Sequence, residues 1–147
     1  MNQQVFKPAD LLSKIMVREV TTTGSKKLKT IKKEFNKHFP YLSIHFHSSE
    51  VAKIAKKGGK LPQLDSEKTL SEVREKIGSG KISLTGRKKV KTVEEEFSEI
   101  FGLYVQITWR TPSGGYFYSN GGRTDDLTLT ALNREKEAEG CKKGEWK

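Results

Sequence analysis

The residues best equipped for chemistry in this chain are lysines. Lys26, Lys27, Lys29, Lys32, Lys33 and Lys37 crowd into a short stretch, and Lys53, Lys56, Lys57 and Lys60 follow soon after. Ammonium groups at this density can track a phosphate backbone. Between the two groups stand Tyr41, His45 and His47, alternating with Leu42, Ile44 and Phe46. In extended backbone that alternation sends the apolar three to a core and the ring-bearing three to the opposite face. Nucleobases stack on such rings where the face is open, and Tyr104, Tyr116 and Tyr118 extend the same chemistry. The competing reading is that these aromatics pack under loops or between parts of the molecule.

Residues 24–37 begin Gly-Ser-Lys-Lys, a turn leading into a helix. Backbone N–H groups, the helix dipole and the lysines could converge there on an anion. It is not a Walker loop: the first glycine is missing, and so is a Ser or Thr directly after the lysine. Other chemistries find less support. His45 and His47 share a strand face with His38 nearby, but the spacing matches no metal-ligand pattern, so neither a metal nor a cofactor is expected. No serine or cysteine has the context of an activated nucleophile, and Cys141 is expected to be idle. Glu94-Glu95-Glu96 reads as a solvated helix face and Asp125-Asp126 as helix capping. An enzyme is therefore not expected.

The elements that must position these residues are duplicated. Residues 24–39 recur at 86–101 with a constant offset of 62 and no gap. Eight positions are identical: Gly24/Gly86, Lys26/Lys88, Lys27/Lys89, Lys29/Lys91, Thr30/Thr92, Glu34/Glu96, Phe35/Phe97 and Phe39/Phe101. Such similarity reads as internal repetition. Each unit is expected to run short helix, strand, main helix, strand or hairpin. The main helices span about 30–39 and 92–101, with Ile31, Phe35 and Phe39 on one face. Thr92 with Glu95 reads as a capping box. Asp65 is expected to cap a helix that turns Leu70, Val73 and Ile77 inward, and Asp125 or Asp126 the last one. Residues 8–16 read as a first helix and 50–57 as a helical turn, while 112–115 is a hairpin turn before a return strand at 116–119. The fold class is α+β, tandem units whose helices cover one face of an antiparallel or mixed sheet. Residues 1–63 form the first unit, 64–140 the second and 141–147 a tail. The two units are expected to make one compact domain.

The two copies differ chiefly in charge. Lys32, Lys33 and Lys37 correspond to Glu94, Glu95 and Glu99. Residues 1–62 hold 13 Lys+Arg against 4 Asp+Glu, while the rest of the chain is near neutral, within a total of +10. A solvated basic face and pairing between the copies are the plain explanations. No apolar run is long enough to span a membrane, the first ten residues lack a secretory pattern, and the lone cysteine suits a cytoplasmic protein.

The pattern Lys91-Thr92, Phe97, Phe101, then Leu103-Tyr104-Val105-Gln106-Ile107, then Asp125-Asp126-Leu127-Thr128-Leu129 resembles a group of small uncharacterised bacterial proteins built from such units. The first copy matches through Lys29-Thr30, Phe35, Phe39, Leu42-Ser43-Ile44 and Thr69-Leu70, without the Asp-Asp pair. The resemblance consists of packing and capping residues. It implies the fold and no active site.

The expected function is thus a non-enzymatic nucleic-acid-binding module. Lys26, Lys27, Lys29, Lys32, Lys33, Lys37, Lys53, Lys56 and Lys57 would meet phosphates and Tyr41, His45 and His47 would meet bases. The alternative is a protein-interaction or self-associating module that sets the basic helix face of unit one against an acidic partner or the acidic helix face of unit two.

Overall fold

The computed structural model describes residues 19–52, 61–77, 81–119 and 121–144. The expected helix at 8–16, most of the turn at 50–57, and Lys53, Lys56, Lys57 and Lys60 lie outside them. The fold is α+β, with two antiparallel sheets. Strand β1 (Glu19–Thr22) pairs with β3 (Ile82–Thr85), and β2 (Ser43–Ser48) with β4 (Leu103–Arg110). The hairpin strand β5 (Tyr116–Tyr118) adds to β4. Each sheet therefore joins a strand of residues 1–63 to one of residues 64–140. Buried Thr22 reinforces the first junction: its hydroxyl donates to the Ile82 carbonyl (2.9 Å) and accepts from the Ile82 amide (3.0 Å).

The main helices are α1 (Leu28–His38) and α3 (Val90–Glu96), the latter running into a π turn at Phe97–Phe101. Helix α1 packs on β1 and β2, and α3 on β4. Two further helices, α2 (Leu70–Val73) and α4 (Leu129–Ala138), each begin against the start of a main helix. There the backbones clasp. Leu28 N–H donates to Lys68 O (2.9 Å) and Leu70 N–H to Lys26 O (3.0 Å), with Ser71 N–H to Gly24 O (3.0 Å). The second copy repeats the pattern: Val90 to Leu127 (3.0 Å), Leu129 to Lys88 (2.9 Å) and Thr130 to Gly86 (3.1 Å). These carbonyls satisfy amides that a helix start leaves without intrahelical partners.

The clasp changes several expectations about capping. Both main helices begin two residues earlier than the repeat suggests, because the clasp supplies acceptors at Leu28 and Val90. Their N-caps are Lys27 and Lys89, neither of which caps through its side chain, so Thr92 and Glu95 form no box. The capping box belongs to α2 instead. Thr69 Oγ1 accepts from Glu72 N–H (3.2 Å) and Glu72 Oε1 from Thr69 N–H (2.8 Å). Asp65 caps only the turn at Glu67, and α2 is a single turn that leaves Ile77 fully exposed. Thr128, not Asp125 or Asp126, caps α4, its Oγ1 accepting from Ala131 N–H at 3.1 Å. The two aspartates sit in a 3-10 turn just before it.

One core holds residues from both halves. Phe35, Phe39, Phe46, Phe97 and Phe101 are all fully buried. Phe46 of β2 meets Phe97 edge-on, with ring centroids 5.5 Å apart. Leu42, Ile44 and Phe46, and likewise Leu103, Val105 and Ile107, face this core as the alternation predicts.

The clasp also explains the shared glycines. A Cβ on Gly24 would collide with Ser71 Oγ, and one on Gly86 with Thr130 Oγ1. Nothing lies within 4 Å of a Cβ built on Gly122. Gly86→Ala should therefore cost about 1–3 kcal/mol, as overpacking does. Gly122→Ala should stay within about 0.5 kcal/mol of the parent. Urea unfolding of both variants checks this, and equal effects would show that the clasp needs no close approach.

Candidate functional site

The fold divides the candidate lysines into committed and free. Lys26 Nζ donates to Glu34 (2.7 Å) and to the Thr21 carbonyl (2.7 Å). Lys29 pairs with Glu67 at 2.9 Å, and Lys27 approaches the same carboxylate at 3.6 Å. The second copy has counterparts: Lys88 with Glu96 (2.5 Å) and Lys91 with Asp126 (2.9 Å). Pairs kept in both copies hold the clasp region together. Lys32 is buried, with Nζ donating to Gln63 Oε1 at 2.7 Å. Lys33 and Lys37 remain exposed on the outer side of α1.

The ring-bearing face of β2 is less open than the alternation suggests. Residues 61–64 run beside this strand: Leu64 N–H donates to Phe46 O (2.9 Å), and Pro62 O lies 2.8 Å from His47 Nδ1. His47 is consequently buried. A carbonyl only accepts, so the proton sits on Nδ1 and Nε2 is the acceptor of the neutral ring. That Nε2 is buried without a hydrogen-bond partner among the described residues. His45 is half-buried, and Tyr41 is half-buried with its amide donating to Asn133 Oδ1 at 2.9 Å. The covering segment, Leu-Pro-Gln-Leu, carries no strand signal of its own, so the sequence did not reveal it.

Across the sheet the register brings other groups in. His47 stacks at 5.8 Å from the Tyr104 ring, and the Gln106 amide donates to Tyr104 OH at 3.3 Å. His45 lies 6.3 Å from the ring of Tyr116, and the Arg110 guanidinium lies over that same ring at 5.4 Å. Tyr116 is 53% exposed. Gln106 and Arg110 were not read from sequence as site residues, and Glu94 was read there as part of a solvated helix face, whereas burial dominates its electrostatics. The hairpin register could have found Arg110, which pairs with Tyr116. Glu94 could have been found from Lys32, its counterpart one repeat earlier, since both stand at a position turned inward.

Burial governs the electrostatics. It pushes His45 down to about 4, helped by Lys32 and His47. It also lowers His47, against the Pro62 hydrogen bond, and lowers Lys32. Glu94 moves the other way, up to about 8, through burial and then the neighbouring Asp125 and Glu95 carboxylates. At neutral pH both imidazoles are thus neutral, and of the two only His45 is part-exposed and able to stack. Among the described residues no group of His, Cys, Asp and Glu is arranged to hold a metal, and no helix is long and apolar enough to cross a membrane.

Comparison with protein-family models, with characterised proteins and with solved structures gives no match to this chain.

The two shifts predict opposite pH responses. His45, at about 4 folded against 6.5 ordinarily, binds a proton more readily when unfolded. Its contribution is complete above 6.5 and is lost as pH falls toward 4. Glu94, at about 8 against 4.5, binds its proton more readily when folded, so stability falls as pH rises from 4.5 to 8. Between pH 6.5 and 8 the parent should lose stability while Glu94→Gln stays flat. Urea midpoints across that range decide it, and parallel curves would show that Glu94 ionises normally.

Proposed function

We propose that this is a non-enzymatic binding protein that takes single-stranded nucleic acid on the face formed by β2, β4 and β5. The observation that carries this reading is the cluster of His45, Tyr116 and Arg110, with Tyr116 more than half exposed at its edge. An exposed ring flanked by a neutral imidazole and a guanidinium offers a base a stacking surface. Phosphate contacts come from Arg110 and Lys142. A Cβ on Gly114 would stand 3.9 Å from the guanidinium and 3.8 Å from Lys142 Cε, so the two cations flank one turn. The basic first unit adds long-range attraction for a polyanion. Stacking and backbone contact carry little sequence preference.

Fluorescence anisotropy with labelled single-stranded and duplex oligonucleotides tests this, using nuclease-treated protein over a salt series. Single strands should bind more tightly than duplex, because stacking needs unpaired bases. The log–log salt slope should be about −0.7 per phosphate contact. Tyr116→Ala should weaken binding roughly 5- to 100-fold, the range for losing one stacked base. Flat anisotropy at low salt, or an unchanged affinity for Tyr116→Ala, would remove the proposal.

A further inference from the structure

The charges that differ between the two copies have a use that the nucleic-acid reading leaves out. Two lysines shared by both copies are paired in the same way within each: Lys26 with Glu34 as Lys88 with Glu96, and Lys29 with Glu67 as Lys91 with Asp126. The charges that have changed sign behave differently. Lys32 and Glu94 are turned inward, while Lys33 and Lys37 on α1, and Glu95 and Glu99 on α3 and its π turn, are all exposed. None of these four side chains makes an ion pair among the described residues. Each set is two like charges four residues apart on one side of a helix. The two sets stand at the same two positions of the repeat with opposite signs, the second set bridging from α3 into its π turn.

We propose that this protein self-associates, with the Lys33–Lys37 side of α1 in one copy docking on the Glu95–Glu99 side of α3 in a second copy. Complementary charge is what selects a second copy here, since each molecule carries both halves of the contact. Contact between unlike faces leaves one of each free and extends to further copies unless the arrangement closes. The net charge of +10 opposes any such association at long range. At about 0.1 M salt the Debye length is near 10 Å, which screens that repulsion while direct contacts survive. At about 1 M it shrinks to near 3 Å and the contact itself weakens.

Sedimentation velocity on nuclease-treated full-length protein at about 0.1 M salt tests the proposal. The parent should show a sedimentation coefficient that rises with concentration and returns to the monomer value at high salt. The variants Lys33→Glu/Lys37→Glu and Glu95→Lys/Glu99→Lys should each stay monomeric alone, and an equimolar mixture should associate again. Tyr116→Ala should leave the behaviour unchanged, which separates this contact from the nucleic-acid surface. A parent that is monomeric at every concentration would overturn the proposal. So would a reversal variant that associates as the parent does, or a mixture that fails to recover. The four positions are exposed and without ion-pair partners among the described residues, so both variants should stay folded, within about 1 kcal/mol of the parent in urea.

Discussion

Two helix starts facing one another is the constraint on which the rest of this structure depends. Each start carries partial positive charge and amides lacking intrahelical acceptors, so bringing two together is unfavourable unless acceptors are supplied. The clasp supplies them reciprocally: Lys26 and Lys68 carbonyls in the first copy, Lys88 and Leu127 in the second. Once the backbones exchange these bonds, much else is dictated. Lysine is tolerated at both main N-caps, because a neighbouring carbonyl does what a capping side chain would do. Threonine caps the opposing helix in both copies. Glycine is required where the strand end passes beneath that helix, and acidic side chains at Glu67 and Asp126 sit among the lysines that follow.

The clasp also explains why a lysine-rich loop is not automatically an anion site. Amides at these helix starts are occupied by carbonyls, and Lys26 and Lys29 by carboxylates. Lys88 and Lys91 do the same in the near-neutral half, so that arrangement serves the fold. The proposed contacts lie elsewhere: on the outer sides of α1 and α3, where the charges are opposite, and on the sheet of β2, β4 and β5. Strand β2 is bonded alongside by Leu64, while β5 lies at the other edge of its sheet with Tyr116 and Phe117 exposed.

What could be read from the sequence was what repeats or alternates. The paired Phe35/Phe97 and Phe39/Phe101, the inward Leu42-Ile44-Phe46 and Leu103-Val105-Ile107, and the hairpin before Tyr116 are short-range patterns, and the structure has them. The starts expected at Asp65 and Asp125 lie at the next threonine, Thr69 and Thr128, local caps of the expected kind a few residues on. The start expected at Thr92 moves to Val90 because its acceptor, Leu127 O, comes from a distant part of the chain. The site suffered for the same reason. Whether His47 faces solvent depends on residues 61–64, and whether Lys26 is free depends on Glu34 and the Thr21 carbonyl. The density of lysines identified them but not their partners.

The inward position shared by Lys32 and Glu94 shows how tightly fold and surface are linked. A buried ionisable group is retained only when hydrogen bonding or neutralisation offsets its lost hydration. Lys32 takes the first route through Gln63, whose neighbours Pro62 and Leu64 bond to His47 and Phe46, so one buried amine helps fix the segment that covers β2. Glu94 takes the second, since at about 8 it is largely protonated at neutral pH beside the Asp125 and Glu95 carboxylates. One repeat position therefore serves two ends. In the first half it closes the sheet edge and keeps His47 neutral. In the second it relieves crowding with the Asp125 and Glu95 carboxylates, while Glu95 and Glu99 stay exposed.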